Sequence, residues 1–269
     1  GRIGAANNLG TVIGPVSGGL LAAVGLVFPL YGVAALTALM ALATALWLPA
    51  SPHQPTARTV SLARVLRSGL GAYADPRLRD LLLTGVMLFM SFALIQQTLG
   101  FLFQDQFGLS PAAAARALGL TMMAAAVTSL VGQIVVVQWL RAPATLLVIL
   151  AVPAIGLGAL ILWLADQQWV MSVAVLLVGL GLGFGMPAIM SLASLRVSSE
   201  EQGRVAGLAS ACPALGFILG PLVGTGLYTR DHRWPYLLVL SLMVPLTWLA
   251  WRRVRSAADT ASGVSGEVR

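Results

Sequence analysis

The sequence predicts an all-α protein that crosses a membrane many times. Hydrophobic residues make up 58% of the chain and charged residues 9%, with a mean hydropathy of +0.89. A soluble globular chain carries roughly 25% charged residues, so this one has too few to cover a water-facing surface. Its apolar runs are also long enough to span lipid, because a hydrocarbon core of about 30 Å needs about 20 residues of helix. Glycine and proline recur inside those runs, as membrane helices allow.

Eight spans are expected, at 3–26, 29–48, 79–103, 112–138, 143–165, 169–194, 205–228 and 234–251. The first carries "GTVIGPVSGG" and is separated from the second by a short turn near Phe28 and Pro29. The stretch "PASPHQPTARTVSLARVLRSGLGAYADPRLRD" follows, and its Pro, Ser and Arg content marks a linker. Within it Leu62, Val65, Leu66 and Leu70 share one helical face, which suits a short helix on the membrane surface. Asp80 and Asp105 bracket the third span. The short loop "QWLRAPAT" leads from the fourth to the fifth, and "GLGLGFGMPAIM" closes the sixth. The seventh carries "GFILGPLVGTG", and the eighth ends at Arg252 and Arg253. The domain plan is 1–48 for the first two spans, 49–78 for the linker, 79–252 for a six-helix unit and 253–269 for a tail.

The formal charge of +7 comes from sixteen arginines and nine acids. The arginines lie just outside apolar runs, with no basic stripe and no aromatic-basic repeat, so they read as topology signals and not as a nucleic-acid surface. Thirteen fall on one side of the membrane (2, 58, 64, 67, 77, 79, 141, 196, 204, 252, 253, 255 and 269) and three on the other (Arg116, Arg230 and Arg233). The first side is expected to be cytoplasmic, with both ends of the chain inside.

The chain repeats itself. When the two Gly-Pro pairs are aligned, Gly10, Gly14, Pro15 and Gly18 match Gly216, Gly220, Pro221 and Gly224. The matched helices are the first and seventh spans, so the period is six. Spans three to eight then form one complete unit, and the first two form the end of a preceding one. With a Gly, not Met, at the start of a helical run, the expectation is a fragment of a longer protein.

These features resemble the major facilitator superfamily. "GTVIGPVSGG" is similar to the antiporter motif of that family's drug:proton antiporters, which implies an antiporter-motif helix of Gly10, Gly14, Pro15, Gly18 and Gly19. "SSEEQGRVAGLASACPALGFILGPLVG" resembles the loop and eleventh span of the same exporters, and "FLFQDQFGLSPAAAARALG" their seventh-to-eighth-span hairpin. The resemblance implies the superfamily fold, with the last two helices of the N-terminal half and all six of the C-terminal half. It also implies efflux of a small organic compound or drug in exchange for protons, in a bacterial inner membrane. One departure is clear: "QWLRAPAT" stands where the family's other marked loop would repeat, with Arg141 its only charge.

Physically, Gly10, Gly14 and Gly18 form a flat ridge that lets another backbone approach closely. Pro15 removes a helical hydrogen bond and bends the helix. A bent helix with a smooth face suits a sliding contact between two halves. Gly220 is expected to tolerate bulk better than Gly14, because Thr225 stands where Gly19 does.

Polar groups inside the spans are costly in hydrocarbon and must face other helices or a wet path. The candidates for a pathway lining are Asn7 and Thr11 in the first span, and Gln96, Gln97 and Gln104 with Phe101 in the third. Ser129 and Gln133 in the fourth join them, with Met186 and Met190 as pliable apolar wall. None of the nine acids lies mid-membrane, and Asp105 reads as a solvated helix end. The spans hold no H-E-x-x-H, paired aspartates or Ser/His pair, so no catalytic residues, metal site or cofactor are expected. The expected partners are a small-molecule substrate, protons and the lipid bilayer, with the protein a monomer. An importer or uniporter of the same fold, and a non-transporting scaffold or receptor, are the alternatives.

Overall fold

In the computed structural model the described residues are 27–47, 75–140 and 142–266, with isolated positions between 14 and 25 and at 73. Side chains at 137–139 and from 252 onward are outside this description. Most of the first span, the linker and its surface helix also lie outside the described residues. So do Asn7, Gly10, Thr11, Pro15 and Gly19.

Among the described residues, seven helices are long and apolar enough to cross a membrane. They are α1 (Phe28–Trp47), α2 (Arg79–Phe107), α3 (Pro111–Gly132, continuing as a π-helix over Gln133–Trp139), α4 (Ala144–Leu164), α5 (Gln168–Ser194), α6 (Gln202–Tyr228) and α7 (Trp234–Gly266). Helix α2 runs a turn further than expected, to Phe107, and α7 continues as backbone helix past the expected boundary at 252.

Local chemistry explains the boundaries. Gly108 caps α2 at φ 62°, a conformation that glycine adopts without cost. Ser110 then accepts a hydrogen bond from the Ala113 N–H at 3.3 Å, and Pro111 occupies the first turn of α3. Together they make a tight hairpin. At the far end of α3 the β-branched run Ile134–Val136 is stiff at χ1 and fits a helix less well. The helix loosens there, and Leu140 N bonds Val135 O at 3.0 Å, five residues back.

The core lies among α2 to α7. The fully buried side chains include Leu82, Leu94, Phe103, Ile155, Ile189 and Tyr236. By contrast, α1 buries none of its residues.

Close approach in this bundle depends on glycine. On α6, a Cβ added to Gly216 would lie 2.5 Å from Phe89 Cβ and 2.6 Å from Met90 N. One at Gly220 would lie 2.7 Å from Met90 O and 2.8 Å from Ala93 Cβ, and one at Gly224 2.9 Å from Leu94 Cγ. Below them a Cβ added to Gly85 would lie 3.2 Å from Cys212 Sγ, and above them Phe101 meets Tyr228 with ring centroids 5.9 Å apart. Positions 85, 89, 93 and 101 of α2 thus meet 212, 216, 220 and 228 of α6 in ascending order. The two helices run parallel and touch from Gly85 and Cys212 up to Asp105 and Tyr228.

The glycine run of α5 is closely packed in the same way, on two faces. Gly179 and Gly183 abut the backbone of α3 at Ala125 and Ser129. A Cβ added to Gly181 would lie 2.7 Å from Ala151 O and against Ile155 of α4, and one at Gly185 would lie 2.6 Å from Leu88 of α2. Two hydroxyl pairs add directional contacts. Thr121 and Ser172 lie 2.9 Å apart across α3 and α5, and Thr98 and Tyr236 lie 3.4 Å apart across α2 and α7.

The backbone contacts at Gly220 leave no room for a larger side chain at this position. Overpacking typically costs about 1–3 kcal/mol, and here the neighbour is main chain that cannot turn away. Gly220→Ala is expected to lower the thermal unfolding midpoint in detergent. Gly226→Ala, where no atom lies within 4 Å of the added methyl, should leave it unchanged or raise it. Equal midpoints for the two variants would refute the seam as a source of stability.

Candidate functional site

The glycines aligned with those of the first span can be located on α6. Gly216, Gly220 and Gly224 are buried against α2 of their own bundle, so in this half the smooth face is already occupied. Pro221 lies next to the ridge within a helix that continues through it. Of the matched residues in the first span, Gly14 and Gly18 are described, and no described atom lies within 4 Å of a Cβ built on either.

The pathway candidates fall into two groups. On α2, Gln97 is exposed and Phe101 is 37% exposed, beside Tyr228 of α6. Gln96 and Gln104 are half-buried, and the Gln104 amide donates to its own helix at Gly100 O, 3.4 Å away. The second group lies along the α3–α5 contact. Ser129 is half-buried, with its backbone against Gly183, and half-buried Gln133 opens the π-helix. Met186 and Met190 lie further along α5, partly buried against the core.

Sequence reasoning missed the polar residues that meet across helices, Thr98, Thr121, Ser172 and Tyr236. Their partners lie 51 and 138 residues away in the chain, and no short-range spacing shows such pairs. It also missed Ser91, which is buried with its hydroxyl unpartnered among the described residues.

Charged contacts sit at the two ends of the bundle. At the arginine-rich end, Asp75 accepts from Arg77 through its backbone N–H (2.9 Å), Nε (3.2 Å) and Nη2 (3.1 Å). Arg77 also lies 3.8 Å from Glu201, and Arg196 donates to the Arg77 carbonyl at 2.8 Å. These contacts tie the start of α2 to the α5–α6 loop. At the opposite end Arg233 pairs with Asp166 at 2.5 Å, and Tyr228 donates to Asp105 at 2.7 Å. Asp105 is thus an exposed, hydrogen-bonded helix end. Among the described residues, no group of His, Cys, Asp and Glu could hold a metal ion.

A cavity of about 490 Å³ opens between α2, α4, α5 and α7 at the arginine-rich end. Its walls include Met87, Val148, Val152, Leu192, Leu246 and Leu249, with Arg79, Asp80, Thr145 and Arg196 at its mouth.

The family model of the Major Facilitator Superfamily matches residues 1–221 and 141–267. The chain belongs to that superfamily. It is a multi-pass integral membrane protein, and its all-helical bundle is the superfamily's. The two matches overlap across 141–221, as a chain built on a repeat allows. Among curated proteins, the chain is 27% identical over 241 residues to a class C tetracycline resistance protein of Escherichia coli, covering 86% of this chain and 58% of that protein. It is 39% identical over 74 residues to a class G tetracycline resistance protein of Vibrio anguillarum, covering 28% of this chain and 19% of that protein. The chain therefore spans little more than half the length of the E. coli relative.

The Asp75 cluster makes a pH prediction. Hydrogen bonds from the Arg77 side chain and backbone hold the Asp75 carboxyl below its ordinary value of 3.8. A carboxylate with a depressed pKa stabilises the folded state above its unfolded pKa, and that contribution is lost as pH falls through the folded value. Wild-type stability should therefore fall more steeply below pH 3.8 than that of Asp75→Asn, and salt should reduce the difference because the group is exposed. Parallel acid-unfolding curves would contradict this.

Proposed function

We propose that the protein works in secondary active export of a small amphipathic organic compound, exchanging it for protons by alternating access in a bacterial cell membrane. The observation that carries this reading is the similarity, over 86% of the chain, to a tetracycline resistance protein of the same superfamily. The G-x-x-x-G-P helix and its six-span counterpart support it. So does the bundle itself, whose glycine-locked helices suit a rigid half that rocks about a central site. A substrate would meet the exposed stripe of Gln97 and Phe101, which offers amide and aromatic contact.

The described spans of this bundle carry no acid near mid-membrane. Its part in the proposed cycle is therefore substrate passage and rocking, with the proton carried elsewhere. Inverted membrane vesicles containing the protein, energised with a proton gradient, provide the test. Tetracycline or a fluorescent amphiphile should accumulate inside and leak out when a protonophore collapses the gradient. Accumulation that survives the protonophore would exclude proton antiport. Gradient-independent equilibration would favour a uniporter, and no movement at all would favour a scaffold or receptor. Gln97→Ala should lower the rate with unchanged protein level.

The proposed orientation, with the arginine-rich end in the cytoplasm, has its own test. Cys212 is buried, so background thiol labelling is low. A cysteine at exposed Gln167 should react with an impermeant reagent in intact cells, and one at exposed Ser198 only after permeabilisation. The reverse pattern would invert the topology.

A further inference from the structure

The groove between α2, α4, α5 and α7 is amphipathic along its depth. Its mouth lies where the spans end, at Arg79, Thr145, Arg196 and Ala250. Its wall reaches Met87 on α2 and Val152 on α4. Each is eight residues inside its helix, a depth of about 12 Å at 1.5 Å per residue. That is close to the half-thickness of a hydrocarbon core, about 15 Å. Apart from Thr84, whose hydroxyl donates to the Asp80 carbonyl at 2.7 Å, the wall below the mouth is apolar. Exposed Trp248 and Trp251 flank the same end of α7, the depth at which tryptophan marks the lipid–water boundary.

The mouth carries two guanidinium groups against one carboxylate. Arg79 is half-exposed and bonds Asp80 through Nε at 3.3 Å. Arg196 is exposed and donates through Nη1 to the Arg77 carbonyl. A guanidinium has five N–H donors, so donors remain for a phosphate, which arginine binds well.

We propose that this groove holds an acyl chain of an anionic phospholipid from the adjacent leaflet, with its phosphate on Arg79 and Arg196. An aliphatic trench of about one leaflet's depth takes the chain, and the net positive mouth selects an anionic headgroup over a zwitterionic one. The site faces away from the α2–α6 seam. A bound lipid would brace α7 against α2 at the end where the two helices leave a gap.

The test is native mass spectrometry of the purified protein in detergent with dioleoyl phosphatidylglycerol, dioleoyl phosphatidylcholine or inorganic phosphate. Phosphatidylglycerol should be retained well above phosphatidylcholine, and inorganic phosphate should not displace it. Thr145 is exposed at the mouth and outside the core, so its substitution leaves packing intact. Thr145→Glu should weaken phosphatidylglycerol retention about fivefold, in line with the roughly 1 kcal/mol that one charge contributes near an anionic surface. Thr145→Lys should keep or raise it. The double variant Arg79→Gln, Arg196→Gln should behave like Thr145→Glu. Equal retention of the two lipids, an unchanged Thr145→Glu, or displacement by phosphate alone would overturn the proposal.

Discussion

The structure depends on one contact, the parallel seam between α2 and α6. In lipid, apolar surface gains little by leaving its surroundings, because acyl chains are as apolar as leucine. Helices associate through close packing and the few polar contacts available. The seam meets this condition by removing side chains at Gly85, Gly216, Gly220 and Gly224, so that one backbone rests on the other. Its ends are fastened differently. Cys212 fills the space beside Gly85 at one end, and Tyr228 bonds Asp105 at the other.

The rest of the bundle follows from the same constraint. Helix α5 repeats it on two faces, against α3 and against α4 and α2, with glycines alternating every second residue. The Thr121–Ser172 and Thr98–Tyr236 pairs then satisfy polar groups that would otherwise be stranded in hydrocarbon. Charge is confined to the two ends, where water and headgroups can solvate it. Arg77, Asp75, Glu201 and Arg196 gather at one end, and Arg233, Asp166 and Asp105 at the other.

Most of the architecture was legible in the sequence. Hydropathy separates membrane from water sharply, so the positions of α1 to α7 were within reach. What each face of a helix meets was much less legible. Lipid and a neighbouring helix are both apolar, and periodicity that marks a soluble helix's inner face carries little information here. The glycines of α5 and α6 showed that something comes close, but not that the partner of Gly216 is Phe89 or that of Gly183 is Ser129. The same limit applies to the pathway candidates. Gln97 and Phe101 are exposed, whereas Gln96, Gln104, Ser129 and Gln133 are half-buried against their own bundle. Asn7 and Thr11 fall outside the described residues.

The two-faced glycine packing of α5 has a mechanical consequence. A helix separated from its neighbours by side chains can slip or roll, because rotamers give way. A helix held main chain to main chain on both sides has no such slack. Turning α5 about its axis would drive a non-glycine position into Ala125 and Ser129 on one side and Ala151 on the other. Helices α3, α4 and α5 therefore move together at these contacts, and a turn imposed on one is passed to the others. Slack is left where no such contact is made: α3 ends in a π-turn, and the α2–α7 gap stands open.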